Sequence, residues 1–269
     1  MDVNQWLLVN EPVLRLSVFL VILITMMLWE VLSPKRPLSC SKPYRWFNNI
    51  GLVVLNTVLI RLLFPVATVG VAFFAIEQQL GVFNQVAWPL WLEILISILL
   101  LDMIIYWQHR MFHRVPVLWR LHRVHHIDQD IDVTTGSRFH PIEIILSLAI
   151  KFLMVLILGV PAEAVILFEI ILNGAAMFNH SNVALPAKFD KYLRWFLVTP
   201  DMHRVHHSRI VAETNSNYGF NIPLWDRMFC SYIDQPKQGH IDMEIGVKGF
   251  DDKSTTQHLH KMLLLPFKD

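Results

Sequence analysis

Eight histidines of this chain sit at spacings that bring imidazole rings side by side. His109 and His113 are four residues apart. His122, His125 and His126 belong to the pentapeptide His-Arg-Val-His-His, which recurs at 203–207 with His203, His206 and His207. On a helix, positions i, i+3 and i+4 share one face. One such pair is weak evidence for a metal site, but two identical triads plus a pair are stronger. Rings so crowded would repel one another if protonated and would serve little purpose if merely packed. Neutral imidazole suits zinc, copper, iron and nickel. Eight or nine nitrogens exceed the needs of a single tetrahedral or octahedral ion, so two metals are implied. Cys40 and Cys230 lie outside the clusters, which disfavours a structural zinc role. The metalloprotease pattern His-Glu-x-x-His is absent because Arg110 follows His109.

Rings that bind metal need acceptors for their other nitrogen, which fix the tautomer. Asp102 lies seven residues before His109 on the same helical face. An aspartate at the end of an apolar span is costly unless paired, so Asp102 is expected to hold a ligand ring. Glu143 and Asp226 are candidates for the same task. His140, in Phe-His-Pro, reads equally as a ligand or as such a supporting group. Arg123 and Arg204 are expected to meet acidic partners or lipid headgroups. His240, His258 and His260 fall in a polar C-terminal tail and read as solvated.

The elements that must position these residues are apolar helices. Of the 269 residues, 54% are hydrophobic and only 17% charged, with a mean hydropathy of +0.43; soluble domains carry about 25% charge. Net charge of +1 gives no reason to expect nucleic acid. Apolar runs at about 14–32, 50–76 and 88–107 each supply the roughly 20 residues that cross a bilayer core. Leu14–Leu32 reads as a retained span rather than a cleaved signal. Residues 142–178 form a membrane helical hairpin about Gly159-Val160-Pro161, one arm of which ends near His180. That hairpin is expected to wall a lateral entrance beside the small residue Gly174. The fold expected is therefore an all-α membrane protein, with about three transmembrane helices plus a hairpin. A helical domain holding a histidine-rich dimetal site caps it.

Twenty of the 23 basic residues fall in 33–49, 108–141 and 181–269. The positive-inside rule makes that side cytoplasmic. The organisation expected is 1–107 as transmembrane helices, 108–141 as the first two cytoplasmic histidine boxes and 142–178 as the hairpin. Residues 179–235 follow as the third box and cap, and 236–269 as the polar tail.

These residues resemble a known family. HRMFH at 109–113 and HRVHH at 122–126 and 203–207 resemble the histidine boxes of the membrane fatty acid hydroxylase/sterol desaturase superfamily. RFHPIE at 138–143, FNHSN at 178–182 and NYGFNIPLWDRMF at 217–229 extend the resemblance to roughly residues 95–235. Within the superfamily the chain looks closest to the bacterial sterol-desaturase-like branch, with similarity to alkylglycerol monooxygenases. One departure is Cys230-Ser231, where relatives often have Gly-Thr.

The resemblance implies a non-haem di-iron enzyme that uses O2 to hydroxylate or desaturate a lipid, whether a fatty acyl chain, a sterol or an ether lipid. It adds His180 to the ligands and leaves zinc possible in a purified or inactive form. It also implies a multi-pass protein of a bacterial inner membrane with its active site on the cytoplasmic face. The chain carries no haem domain, thiolate cluster or dinucleotide fingerprint. Electrons are therefore expected from a separate ferredoxin, cytochrome or reductase, or from a diffusible pterin. Two other readings fit the same histidines: a dizinc membrane hydrolase, and a non-catalytic metal-binding protein. A transporter would place ionisable groups along its spans, whereas here only Arg61, Glu93, Lys151 and Glu169 are scattered in apolar stretches.

Overall fold

The computed structural model describes residues 3–64 and 66–268. Among these the only β-type pairings are two isolated bridges, Pro34 with Val183 and Ser208 with Ile245. The first helices are α1 (Val3–Val9), α2 (Glu11–Leu32), α3 (Lys42–Leu63), α4 (Thr68–Glu77) and α5 (Leu90–Arg114). Then come α6 (Pro116–His126), α7 (Pro141–Leu158), α8 (Ala162–Asn179), α9 (Ala187–Leu193) and α10 (Pro200–His206). The last are α11 (Val211–Thr214), α12 (Leu224–Met228), α13 (Gly239–Asp242), α14 (Lys253–Gln257) and α15 (Leu259–Leu264).

Proline opens several of these helices, because its missing N–H falls where no intrahelical acceptor exists. Pro116, Pro141 and Pro200 all occupy first-turn positions. Thr199 adds a side-chain cap to α10, accepting from the Met202 N–H at 3.3 Å.

Among the described residues five helical stretches are long and apolar enough to cross a membrane: 11–32, 42–77, 90–114, 141–158 and 162–179. The chain is an all-α membrane protein. Two boundaries differ from the hydropathy reading. The run expected at 50–76 divides into α3 and α4, and α3 begins at Lys42. The sequence places Pro65, itself outside the described residues, between them, and proline disfavours helix at the residue before it. The third span, expected at 88–107, runs on through the first histidine pair as α5 to Arg114, and Pro116 opens α6 as its position predicts. Each arm of the hairpin has 18 residues, about 27 Å of helix, close to the thickness of a bilayer core.

Helix α8 is the central element. It packs against α2, α4 and α5, and half of its apolar stretch is buried, against 6% for α2. The hairpin tip is held by a close approach of two glycines. Gly159 has φ +70°, and a Cβ at Gly81 would lie 2.1 Å from the Gly159 nitrogen. Gly174 packs tightly as well: a Cβ there would lie 2.9 Å from Ile22 of α2. The cavity between α2 and α8 at this point measures about 10 Å³, room for one water at most. At Gly174 the described residues show close packing of α8 on α2.

Buried polar groups fasten the ends of the spans to the loops that flank the histidines. Glu30, near the end of α2, accepts from the Val133 and Asn182 backbone N–H groups at 2.7 and 2.6 Å. Arg45 of α3 is wholly buried and donates to Asp128 and to Asp132, the latter at 3.0 Å. Arg138 donates to the Val124 carbonyl at 2.9 Å.

The C-terminal residues, expected as a polar tail, fold back on α6. Met262 and Leu265 are buried against Val124 and Ile127, and Arg120 and Arg123 donate to carbonyls of Pro266 and Leu265. The apolar residues Met262 to Leu265 supply the contact surface.

Candidate metal centre

Four helices deliver the histidines. Helix α5 carries His109 and His113 in its last turns, and α6 carries His122, His125 and His126. His180 ends α8, and α10 carries His203 and His206 with His207 at its C-cap.

The nine rings form two adjacent groups. His109, His113, His122, His126 and His206 make one; His125, His180, His203 and His207 make the other. Within each, one ring nitrogen per residue lies within 4.8 Å of the rest. The two identical pentapeptides serve the groups in opposite ways. In α6 the i, i+4 pair His122/His126 joins the first group and His125 the second. In α10 the i, i+4 pair His203/His207 joins the second and His206 crosses to the first. The groups touch where His126 meets His207, ring centroids 4.6 Å apart.

Hydrogen bonds at Nδ1 orient several rings. His109 donates to the Tyr218 carbonyl at 2.8 Å, His206 to the Ser216 carbonyl at 2.6 Å and His180 to the Ala176 carbonyl at 2.7 Å. The Nδ1 of His122 meets the Glu143 carboxylate at 2.7 Å. A carbonyl oxygen only accepts, so His109, His180 and His206 each carry a proton on Nδ1 and turn a bare Nε2 inward.

The consequence is clearest between His109 and His122, whose Nε2 atoms stand 3.1 Å apart. The Nε2 of His126 lies 3.2 Å from that of His122. In the second group the His180 Nε2 stands 3.1 Å from His125 Nε2 and 2.9 Å from His203 Nε2. Nitrogens this close must share either a proton or a cation. Both ring nitrogens of His113 and His207, and Nε2 of His206, have no protein partner although they are buried.

Protonation would not relieve this. Burial pushes the His122 and His180 pKa down to about 3. Burial and neighbouring rings hold His125, His126, His203, His206 and His207 well below their ordinary value. Neutral imidazole is the ligand form. The donor set, all nitrogen with no thiolate, fits two borderline transition-metal ions.

The remaining candidates occupy other places. Glu143 touches His122, as above. Asp102 accepts from the indole N–H of Trp225 at 2.8 Å, which ties α5 to α12, and makes no bond to a histidine ring. Asp226 accepts from the Tyr218 and Gly219 N–H groups at 2.8 and 2.7 Å; it fixes the loop whose Tyr218 carbonyl holds His109. His140 joins neither group. Its Nδ1 accepts from the Ile142 N–H as the cap of α7, and its Nε2 meets the Leu263 carbonyl at 3.2 Å. Its two nitrogens are thus both engaged. His240, His258 and His260 also lie outside both groups. The Cys230-Ser231 departure leaves the turn formed. Cys230 adopts φ +55° and the Ser231 hydroxyl donates to Asp226 at 2.7 Å.

Sequence reasoning missed the carbonyls of Ala176, Ser216 and Tyr218, which no side-chain pattern encodes. It also missed the aromatic walls: Phe139 stacks on His125 at 4.6 Å, and Trp119 lies 4.9 Å from His113.

Comparison with known proteins gives this arrangement a family. The fatty acid hydroxylase family profile matches residues 94–231, just over half of the chain and the stretch that carries all nine rings. The chain belongs to the fatty acid hydroxylase family.

The ornithine lipid hydroxylase OlsE of Rhizobium tropici is 27% identical over 228 residues, covering 82% of this chain and 67% of that protein. Alkylglycerol monooxygenase of Xenopus tropicalis is 32% identical over 152 residues, 56% of this chain. The fatty acid hydroxylase vlmA of Lecanicillium sp is 26% identical over 196 residues, 67% of this chain. The matches span only 32% of the Xenopus protein and 53% of vlmA. No solved structure matches.

Proposed function

We propose that this chain is an integral-membrane lipid hydroxylase whose nine histidines hold two iron ions. The observation that carries the reading is the convergence of neutral, buried Nε2 lone pairs into two adjacent groups. Membership of the fatty acid hydroxylase family and likeness to a lipid hydroxylase support it.

His109, His113, His122, His126 and His206 would hold one ion, and His125, His180, His203 and His207 the other. Irons bound there would supply the redox chemistry that activates O2 for attack on an unactivated C–H bond. The chain's own residues do the positioning. Glu143 and the three carbonyls fix ring tautomers, and Glu143 raises the basicity of His122. The packed helices keep water from the rings.

Inserting one oxygen atom from O2 into a C–H bond and releasing the other as water takes two electrons and two protons. A separate ferredoxin, cytochrome or reductase, or a pterin, supplies the electrons. On this reading the histidine domain faces the cytoplasm from a bacterial inner membrane, an orientation that the basic asymmetry supports. A lipid substrate keeps its tail among the spans, held by apolar burial worth about 0.8 kcal/mol per CH2.

The test compares the lipids of cells with and without the gene under isotope-labelled O2. A lipid that carries the label only when the gene is present supports the reading. Unchanged lipids, with zinc and no iron in protein purified anaerobically, would favour a dizinc hydrolase instead.

A further inference from the structure

Helix α9 and the residues after it display an aromatic face that the described chain leaves largely exposed. Phe189 is 56% exposed, Tyr192 62%, Trp195 61% and Phe196 73%. These positions follow one another at helical spacing, and Lys188 and Lys191 are exposed beside them. The opposite face is polar: Asp190 and Arg194 are buried and paired with each other. A contiguous aromatic patch on a water-facing surface is uncommon and marks an interaction site.

Its surroundings say what covers it. On one side, the chain leading into α9 is fixed to the end of span α2, where the Ala184 N–H donates to the Ser33 carbonyl at 3.0 Å and the Lys35 N–H to the Asn182 carbonyl at 2.8 Å. On the other side, the Arg227 guanidinium of α12 lies over the Trp195 ring at 4.1 Å. Phe229, just past α12, packs at 4.7 Å on Trp107 of span α5. The patch is thus bracketed by the same ends of two spans. That is the level at which aromatic rings and lysines collect, rings among headgroups and acyl chains and ammonium groups toward anionic phosphates.

We propose that residues 187–197 form an interfacial anchor, with Phe189, Tyr192, Trp195 and Phe196 sunk into the boundary of the bilayer and Lys188 and Lys191 against anionic headgroups. The anchor leads directly into Val198, whose N–H donates to the Asn221 carbonyl at 3.0 Å, and Thr199, the cap of α10. It therefore fixes how deep His203, His206 and His207 stand relative to the headgroups. It rests on the membrane spans and is independent of which metal the histidines hold.

The test uses the full-length protein in vesicles of mixed phosphatidylglycerol and phosphatidylethanolamine. The photo-cross-linking residue p-benzoylphenylalanine replaces Phe189, Tyr192 or Phe196 in turn, with Glu244, an exposed polar position, as the control. Irradiation is expected to give phospholipid adducts, read by mass, at the three aromatic positions and none at the control. In the Phe196 background, Lys188→Glu with Lys191→Glu should lower the phosphatidylglycerol share of the adducts several-fold. Adducts between two copies of the chain in place of lipid adducts, or lipid labelling no greater than at the control, would overturn the anchor. So would a phosphatidylglycerol share unchanged by the two charge reversals.

Discussion

His109 and His122 face each other Nε2 to Nε2 at 3.1 Å, while His109 gives its Nδ1 proton to the Tyr218 carbonyl and His122 meets Glu143 through Nδ1. His109, fixed in this way, turns a bare Nε2 on His122. A cation bound there would be held by both rings, and the groups that orient them lie on separate segments of the chain.

The Glu143 carboxylate is the replaceable part of that arrangement. Glu143→Ala should weaken metal binding by the five-histidine group about 10–100-fold and leave the four-histidine group unaffected. Chelator competition on the purified protein would show one of two ions released earlier than in the wild type. Equal affinities in both proteins would mean that Glu143 is not what orients His122.

Acid should destabilise the metal-free protein well before carboxylates titrate. His122 and His180 titrate at about 3 in the fold against an ordinary 6.5, so the folded state binds fewer protons than the unfolded one between those values. Their contribution is complete above pH 6.5 and falls as pH drops, by up to about 1.4 kcal/mol per pH unit for each ring. Melting temperatures of chelator-treated protein should decline steadily from pH 6.5 downward. A flat profile between pH 7 and 4.5 would show that the rings are not buried neutral.

Arg45 anchors the loop after the second histidine box. Its removal takes the guanidinium from buried Asp132 and leaves Asp128 with Arg138 at 3.4 Å, and breaking a buried pair from one side costs about 3–5 kcal/mol. Arg45→Met should lower the melting temperature sharply. Arg45→Lys should recover only part of the loss, because an ammonium lacks the planar fork that serves both carboxylates at once. Full recovery with lysine would reduce the role to charge alone.

The histidine spacings made the ligand helices legible, because a helix turns i, i+3 and i+4 to one side whatever surrounds it. The division of each triad between two groups was not legible, since it depends on how α6 and α10 cross. Hydropathy made the apolar stretches legible but ran α3 and α4 together, because a window average does not register a single proline. Shared helical face pairs Asp102 with His109, yet the side chain that donates to it is Trp225, 123 residues away along the chain. His140 reads from its Phe-His-Pro setting equally as a ligand or as a supporting group, and by geometry it is a helix cap. Long-range partners and backbone carbonyls leave no local mark on a sequence.

Metal stoichiometry tests the two-group centre most directly. Protein purified anaerobically should hold two irons per chain, one for each histidine group. His203→Ala, which removes a ring from the four-membered group, should leave one iron, with the remaining ion still released early when Glu143→Ala is added. Two irons retained in His203→Ala, or a wild-type protein that binds one ion at most, would contradict the account.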